Sequence, residues 1–144
     1  MAIKQISVFL ENHPGSLESV MGTLSDAGAD MRALSMADTQ DFGILRLIVR
    51  DTDKAVAALK EQGYVCSIND VTAAIIPDET GGLHKVLKVL ADENINIEYS
   101  YAFLTPEDGK ACVVFRIADN AHAAEVLGAK GISSLDGDDM HILG

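Results

Sequence analysis

The sequence is poor in basic residues, and this shortage excludes several classes of partner. Lys and Arg together number 11 among 144 residues, against 22 Asp and Glu, so the formal net charge is −11 at pH 7. The acidic residues are spread along the chain, and no basic patch is available to displace counterions from a phosphate backbone. We therefore expect no binding to nucleic acid and none to an anionic membrane surface.

Cysteine and long apolar runs are also scarce. Cys66 and Cys112 lie in apolar stretches at positions that are not equivalent in the two halves of the chain. They are predicted to be two buried thiols rather than a disulfide or half of a metal site. Residues 1–6 lack the apolar segment of a secretory signal, and no apolar run reaches membrane-spanning length. These features predict a cytoplasmic protein.

Residues that carry metal chemistry or catalysis form no recognisable motif. Asp136-Gly137-Asp138-Asp139 lacks the distal Glu of a calcium loop and is predicted to be a solvated turn. No Ser, Cys or Lys lies in a nucleophile motif, and Gly81-Gly82 is not followed by the Lys-Ser/Thr of a phosphate loop. The histidines lack metal-site spacing and are predicted to lie at the surface: His13, His84, His122 and His141. We expect no metal, no cofactor, no catalytic residue and no enzyme activity.

What the chain does contain is an internal repeat. Leu17 aligns with Leu83, and the residues that follow them match in both copies. Further aligned pairs are Val20 and Val86, Met21 and Leu87, Leu24 and Leu90, Asp26 and Asp92, Met31 and Ile97, and, after a short slip in a loop, Asp51 and Asp119, Leu59 and Leu127, and Gly63 and Gly131. We predict two domains, residues 1–70 and 71–144, each so small that the two should pack on each other.

Each copy predicts the element order βαββαβ. Apolar residues alternate over residues 3–10, and from Leu17 to Leu24 they recur at helical spacing. The other elements predicted for the first copy are strands at 31–39 and 44–49 joined by a turn at 40–43, a helix at 51–62, and a strand at 64–68 that continues into a strand at 71–76. The fold class is α+β: two ferredoxin-like βαββαβ units, each with a four-stranded antiparallel sheet and two helices on one face.

Two strands predict that the opposite face of the sheet is covered as well. The runs 44–49 and 111–115 are apolar at odd and even positions, which a sheet with one wet face does not need. We expect another sheet, from another domain or another chain, to cover that face. Tyr99, Tyr101 and Phe103 form a stripe of period two that predicts a packed strand face, with ligand stacking as the alternative.

The loop before the first helix carries a family resemblance. Asn12-His13-Pro14-Gly15-Ser16-Leu17, followed after the helix by Gly28-Ala29-Asp30-Met31, resembles the ACT domain, a βαββαβ ligand-sensing module attached to amino-acid-biosynthetic enzymes and regulators. The second copy of the loop is Asp78-Glu79-Thr80-Gly81-Gly82-Leu83. Residues 37–46 are also similar to stand-alone proteins made only of two ACT domains. The resemblance covers nearly the whole chain and implies an amino-acid-binding regulatory function.

The chemistry of the loop agrees with such a role. A tight turn at Pro14-Gly15 leaves the first helical N–H groups unpaired, and these can receive a carboxylate. Gly15 and Gly81 are then either ligand contacts or glycines that the turn alone requires. Thr80 stands where the first copy has Pro14, which predicts a looser second turn.

The resemblance also implies particular ligand contacts. In serine-sensing ACT domains an amide on this loop and another at the start of the second strand of the neighbouring domain hold the ligand. Those positions correspond to Asn12 and Asp30 in the first copy and to Asp78 and Asn96 in the second. If the copies pack about a pseudo-two-fold axis, one site combines Asn12 with Asn96 and the other combines Asp78 with Asp30.

These two sites would differ in chemistry. Two amides can hold a zwitterion, whereas two carboxylates repel a carboxylate and suit a cation or a proton. We therefore predict ligand at the Asn12 site. Leu10 and Ile76 stand where the serine sensor has a histidine, which favours an amino acid more apolar than serine.

The predicted function is that of a regulatory or sensor protein. It would bind an amino acid or a related small carboxylate at the interface of its ACT domains and would form a homodimer. The alternative is a regulatory subunit that docks in trans, through its apolar sheet face, on a separate enzyme of amino-acid metabolism. An autonomous enzyme is a third and more distant reading.

Overall fold

The computed structural model describes residues 2–38, 41–103 and 108–136. Part of the turn predicted at 40–43, the predicted turn residues Gly137, Asp138 and Asp139, and His141 lie outside the described residues. The elements are β1 (Ile3–Glu11), α1 (Ser16–Asp26), β2 (Met31–Asp38), β3 (Phe42–Val49), α2 (Thr52–Glu61), β4 (Val65–Pro77), α3 (Gly82–Asp92), β5 (Tyr99–Phe103), β6 (Lys110–Arg116), α4 (Asn120–Ala129) and β7 (Ser134–Leu135). The fold is α+β with the predicted βαββαβ order in both copies.

The chain divides into two compact units. One is Lys4–Asn69, and the other is Asp70–Gly144 together with Met1–Ile3. Strand β4 belongs to both copies, because the two strands predicted at 64–68 and 71–76 form one continuous strand.

The unit Lys4–Asn69 has its hydrophobic core under two helices. Strand β3 pairs antiparallel with β1 and with β2, so that Leu45 lies opposite Val8 and Leu47 lies opposite Leu34. One face of these strands packs against Val20 and Leu24 of α1 and against α2. The buried core residues are Ile6, Val8, Leu10, Val20, Leu24, Leu45, Leu47, Val49, Ala55 and Leu59.

The unit Asp70–Gly144 repeats this construction. Its strands follow the antiparallel order β5-β6-β4-β7. Helices α3 and α4 contribute Val86, Leu90 and Leu127 to a core around Phe115. Because Leu83 aligns with Leu17, it is expected in the buried apolar stripe of its helix, but the structure leaves it 41% exposed. It lies in the first turn of α3, outside the packed part of the helix.

The sheet face away from the helices is buried to different extents in the two units. In β6, Cys112 and Val114 are fully buried, which agrees with the predicted cover. In β3, Ile48 is buried, whereas Phe42 on the same face is 57% exposed. Phe9 of β1 lies opposite Ile44 on this face and is 51% exposed. The predicted cover is therefore incomplete over β1 and β3.

The aromatic stripe of β5 is a partly packed strand face. Phe103 is buried and lies opposite Cys112, while Tyr99 and Tyr101 are half-buried. The two tyrosine rings stack on each other with centroids 6.4 Å apart. This arrangement agrees with the predicted packed strand face.

The helices begin in two different ways. Helices α2 and α4 have an aspartate N-cap: the side chain of Asp51 accepts from Lys54 N–H and that of Asp119 accepts from His122 N–H. Helices α1 and α3 begin after Gly15 and Gly81, which are left-handed and provide no side-chain cap. Of the four helices in the described residues, α1 and α3 therefore begin without a side-chain cap. Within the described ranges, no helix is long and apolar enough to cross a membrane.

The two cysteines have different environments. Cys112 is fully buried, and burial raises the pKa of its thiol to about 12. Cys66 is only half-buried; burial raises the pKa of its thiol too, and the charge of Lys60 opposes that shift. The prediction of two buried thiols is thus correct for Cys112 and wrong for Cys66, which lies near the exposed start of β4.

We expect this difference to decide alkylation. In the native protein iodoacetamide should modify Cys66 and leave Cys112 intact, because the thiolate is the reactive form and Cys112 is neither ionised nor accessible. Mass spectrometry after labelling with and without denaturant measures this directly. In Cys66→Ser the native protein should take up no label, and rapid labelling of Cys112 in that variant would contradict the assignment.

Candidate functional site

The loop between β1 and α1 is closed by its own backbone. Gly15, the residue before the helix, has a φ of +87°, in the left-handed region that glycine adopts without strain. A Cβ at Gly15 would meet nothing within 4 Å, so the backbone conformation and not crowding requires the glycine. The backbone hydrogen bonds of the loop run from Asn12 N–H to Asp41 C=O, His13 to Glu11, Ser16 to His13 and Ser19 to Gly15.

The loop between β4 and α3 has the same backbone pattern. Gly81 has a φ of +83°. The matching hydrogen bonds run from Asp78 N–H to Gly109 C=O, Glu79 to Pro77, Gly82 to Glu79 and Lys85 to Gly81. The looser turn expected from Thr80 is therefore wrong, because the left-handed glycine and these bonds set the turn without a proline. The turn role of both glycines is established, and a ligand contact by either stays a prediction.

The side chains of the two loops differ at one position in particular. Ser16 Oγ donates to the carbonyl oxygen of Glu11 at 2.6 Å, which ties the start of α1 to the end of β1. The equivalent residue, Gly82, is buried, and a Cβ there would overlap the carbonyl oxygen of Pro77. The second loop therefore has no side chain at the position where the first presents a hydroxyl.

Ser16, His13 and Glu11 lie in contact but do not form an activated nucleophile. His13 Nδ1 lies 3.0 Å from Ser16 Oγ and 3.0 Å from the carbonyl oxygen of Pro14, and His13 Nε2 lies 3.4 Å from a carboxylate oxygen of Glu11. A carbonyl oxygen only accepts, so Nδ1 carries the proton in this arrangement and cannot take one from the serine. The Ser16 hydroxyl already donates to Glu11. The group is a loop brace and not a catalytic triad.

A pocket of about 380 Å³ lies beside this loop, and we refer to it as the Gly15 pocket. It contains three of the predicted site residues, His13, Gly15 and Ser16, while Asn12, Pro14 and Leu17 are not part of its wall. Its lining consists of Phe9, Leu10, Glu11, His13, Gly15, Ser16, Ser19, Gly63, Tyr64 and Val65. The pocket thus lies wholly within the unit Lys4–Asn69.

Several pocket residues were not predicted from the sequence. Tyr64 Oη donates to Ser19 Oγ at 2.7 Å and forms a polar wall, while Phe9 and Val65 form an apolar one and are 51% and 67% exposed. The available signal was Gly63, which ends the second helix and returns the chain to the end of the sheet where β1 stops. The alternation of apolar and polar residues along β1 and β4 obscures the role of Phe9 and Val65, because both fit the pattern of ordinary strand residues.

Asp30 does not present a free carboxylate. Its two oxygens accept from Arg32 Nη2 at 2.6 Å and from Arg50 Nε at 2.5 Å. The hydrogen bond from Arg50 is the main cause that lowers the pKa of Asp30 below 3.8; partial desolvation opposes it, and Arg32 adds to it. Arg32 and Arg50 thus compensate the charge of Asp30, and the repulsion predicted for a site that combines Asp78 with Asp30 stays a prediction.

Asn96, the counterpart of Asp30, lies in a different environment. It is exposed and lines a cavity of about 460 Å³ within the unit Asp70–Gly144, which we call the Asn96 cavity. Its walls include Asn94, Ile95, Asn96, Glu98, Ile117 and His122. Glu98 lies 3.7 Å from Arg116, so its charge is partly compensated.

The remaining predicted residues lie on the second loop. Asp78, Glu79, Thr80, Gly81 and Leu83 are exposed, and Gly82 is buried. Lys85 Nζ lies 3.7 Å from Glu79. In the described part of the chain, no group of three or more His, Cys, Asp and Glu side chains could hold a metal ion. Asn12 and Asn96 belong to different units, as do Asp78 and Asp30, so both pairings stay predictions.

These features define the class of protein. The chain has a βαββαβ repeat with a left-handed glycine before the first helix of each copy, and the family model for the ACT domain pair matches residues 1–143. The chain belongs to this family. ACT domains are ligand-binding regulatory modules and not catalytic ones, so the membership supports a regulatory, ligand-binding role.

The chain is also similar to several solved structures. It is similar to protein BT0572 from Bacteroides thetaiotaomicron, with 40% identity, a TM-score of 0.90, and coverage of 98% of this chain and 96% of that one. The ligand-free regulatory subunit of aspartate kinase from Thermus thermophilus shares the fold at 16% identity and a TM-score of 0.65, with 88% and 91% of the chains covered. The corresponding subunit from Thermus flavus gives 17% and 0.62, with 88% and 90% covered. No curated protein matches the chain.

The role of Gly15 leads to a stability prediction. Gly15→Ala should lower the free energy of unfolding by about 1 kcal/mol, because a Cβ is strained at a positive φ. Gly22→Ala is the matched control in the same helix; it lies in the helix interior with open space around it and should raise stability by roughly 0.5–1 kcal/mol. Urea unfolding measures both variants, and equal effects of the same sign would contradict the assignment.

The Asp30 cluster leads to a prediction about pH. Because the pKa of Asp30 is lower in the folded than in the unfolded chain, its ionised form stabilises the fold above about pH 3.8, and this contribution is lost as the pH falls through the folded pKa. The unfolding temperatures of the protein and of Asp30→Asn should therefore differ above pH 3.8 and converge at more acidic pH. Asp26→Asn, which removes a carboxylate at the end of α1, is the control. A difference that grows in acid would refute the prediction.

Proposed function

We propose that this protein is a regulatory ligand-binding protein whose ligand is an amino acid or a similar small carboxylate bound in the Gly15 pocket. The observation that carries the proposal is this pocket beside the uncapped start of α1, in a chain of the ACT domain pair family. Its volume of about 380 Å³ falls within the range of small-molecule sites.

The start of α1 supports the carboxylate half of the ligand. The first N–H groups of a helix have no intrahelical acceptor and carry the positive end of the helix dipole. At α2 the side chain of Asp51 accepts from one of them, whereas Gly15 offers no such side chain at α1. The N–H of Ser16 already donates to His13 C=O, so a ligand carboxylate would supply the acceptor for the N–H groups of the two residues that follow.

The other walls of the pocket support the rest of an amino acid. The carboxylate of Glu11 and the hydroxyl oxygens of Ser19 and Tyr64 are acceptors for an ammonium group. Phe9 and Val65 are exposed apolar surfaces that a ligand side chain would cover. This wall favours an apolar amino acid over a polar one.

Binding would act through packing. A ligand can shift a conformational equilibrium only by its different affinities for the two states, so the pocket would regulate by favouring one arrangement of domains or subunits. We further propose two ACT domains at residues 1–70 and 71–144, each with a four-stranded sheet, a homodimer, and a cytoplasmic location.

A second candidate is a regulatory subunit that docks in trans on a separate enzyme of amino-acid metabolism. The exposed phenylalanines Phe9 and Phe42, on the sheet face away from the helices, favour it, since large apolar side chains exposed together are typical of contact surfaces. Isolation of the chain in a stoichiometric complex with such an enzyme would support this candidate.

A thermal-shift screen of the common amino acids and small carboxylates tests the leading proposal. A ligand at about 100 times its Kd adds roughly 2.7 kcal/mol to the free energy of unfolding. We expect an apolar amino acid to give the largest shift, and no shift from any compound would overturn the proposal.

Two exposed phenylalanines provide a matched test of the site. Phe9 lines the Gly15 pocket, whereas Phe42 on the same sheet face does not. Phe9→Ser should weaken the binding of that amino acid by about tenfold, because it removes apolar contact area, and Phe42→Ser should leave it unchanged. Isothermal titration calorimetry measures both, and equal weakening would place the ligand elsewhere.

A further inference from the structure

The two units build the same backbone at the loop that follows their first helix. Gly28 and Asn94 both adopt a positive φ, of +70° and +56°. Gly28 N–H donates to Ser25 and Asn94 N–H donates to Ala91 in the same pattern. The next N–H groups, those of Ala29 and Ile95, donate to Leu24 and Leu90 respectively. Asp30 and Asn96, one residue further along, therefore occupy equivalent positions.

The helix starts that face these loops are equivalent as well. Asp51 caps α2 by accepting from Lys54 N–H, and Asp119 caps α4 by accepting from His122 N–H. The residues directly before the two caps are Arg50 and Ala118. The structural counterparts at this end of the fold are therefore Arg50 and Ala118, Lys54 and His122, Asp30 and Asn96, and Arg32 and Glu98.

In the first repeat, cationic side chains of the protein lie between the loop and the helix start. Arg50 Nε lies 2.5 Å from Asp30 Oδ2. Lys54 Nζ lies 3.5 Å from the point that a Cβ on Gly28 would occupy. The guanidinium of Arg50 therefore binds Asp30 and occupies the space between this loop and the start of α2.

In the second repeat the same location is open. Ala118 has no side chain beyond Cβ, and the Asn96 cavity of about 460 Å³ lies there. Its floor is apolar, since Ile117 is buried and Ile95 half-buried, and its rim holds the amides of Asn94 and Asn96. The cavity is thus wide enough for a short alkyl chain with a polar head.

The charged side chains around the cavity favour a ligand whose polar head is cationic. Glu98 and Asp119 both line it, and Glu98 stands where the first repeat has Arg32. Arg116, 3.7 Å from Glu98, compensates the charge of Glu98 only in part. The positive end of α4 is already offset by its Asp119 cap, so the helix start offers little to an anion. Carboxylate and amide oxygens together accept hydrogen bonds from a cationic donor.

We propose that the Asn96 cavity binds a small organic cation, an alkylguanidinium or alkylammonium ion, in the position that the side chain of Arg50 holds in the first repeat. This inference does not depend on the proposed amino-acid site, which uses other residues in the other unit. The cation is bound by charge and hydrogen bonding at its head and by apolar contact along its chain.

The test is an NMR titration with n-propylguanidinium, which reproduces the arginine side chain, and with n-propylurea, its neutral analogue of the same shape. We expect n-propylguanidinium to shift the amide signals of residues 94–98 and 117–122, and n-propylurea to bind about tenfold more weakly, because it lacks the charge-assisted hydrogen bonds. n-Butylammonium tests whether an ammonium head is also accepted.

Two variants, one just before α4 and one within it, distinguish binding in the cavity from a general effect of added positive charge. Ala118→Arg places an arginine where the first repeat has Arg50 and should abolish binding. Ala121→Arg adds the same charge on an exposed helix position outside the cavity wall and should leave binding nearly intact. In the converse variant, Arg50→Ala, n-propylguanidinium should acquire a second site beside Asp30.

Three results would overturn the proposal. They are an absence of shifts with both guanidinium and ammonium probes, equal affinity for n-propylurea, and unchanged binding in Ala118→Arg. Signals of residues 9–19 report the Gly15 pocket separately, so failure of one site is distinguishable from failure of the other.

Discussion

The left-handed backbone at Gly15 and Gly81 is the constraint on which both repeats depend. A φ of +87° or +83° turns the chain from strand to helix within a few residues, and the same backbone hydrogen bonds close both loops. Only glycine holds this conformation without strain. The turn places the helix so that its apolar stripe reaches the strand face, and the buried cores under the helices follow from it. It also leaves α1 and α3 without the side-chain caps that α2 and α4 have.

The duplicated backbone carries different chemistry in its two copies. Ser16 braces the first loop through a hydroxyl, and Gly82 leaves the second without one. At the next loop, Arg50 lies on Asp30 in one copy, while Ala118 leaves a cavity at Asn96 in the other. Each difference arises from side chains on a shared backbone, so the repeat can diversify its sites at little cost to the fold.

Much of the fold follows from local sequence. The apolar stripe from Leu17 to Leu24, the glycines that end helices and the alternation along β1 predict the elements, because each depends on neighbours a few residues away. Leu83 and Cys66 were mispredicted for the same reason. Both are apolar residues in apolar surroundings, and only packing decides that one lies in an open first turn and the other near the exposed start of β4.

The sequence by itself determined the duplication, the α+β class, the family resemblance and the loops that carry the candidate sites. The tertiary structure decided what the site residues contact. In the sequence Asp30 is an isolated carboxylate. In the folded chain it pairs with Arg32 and with Arg50, which lies 20 residues further along the chain. Tyr64 and Val65 become pocket walls only because α2 returns the chain to the end of β1. Charge compensation and concave surfaces depend on residues distant in sequence, and no local pattern encodes those distances.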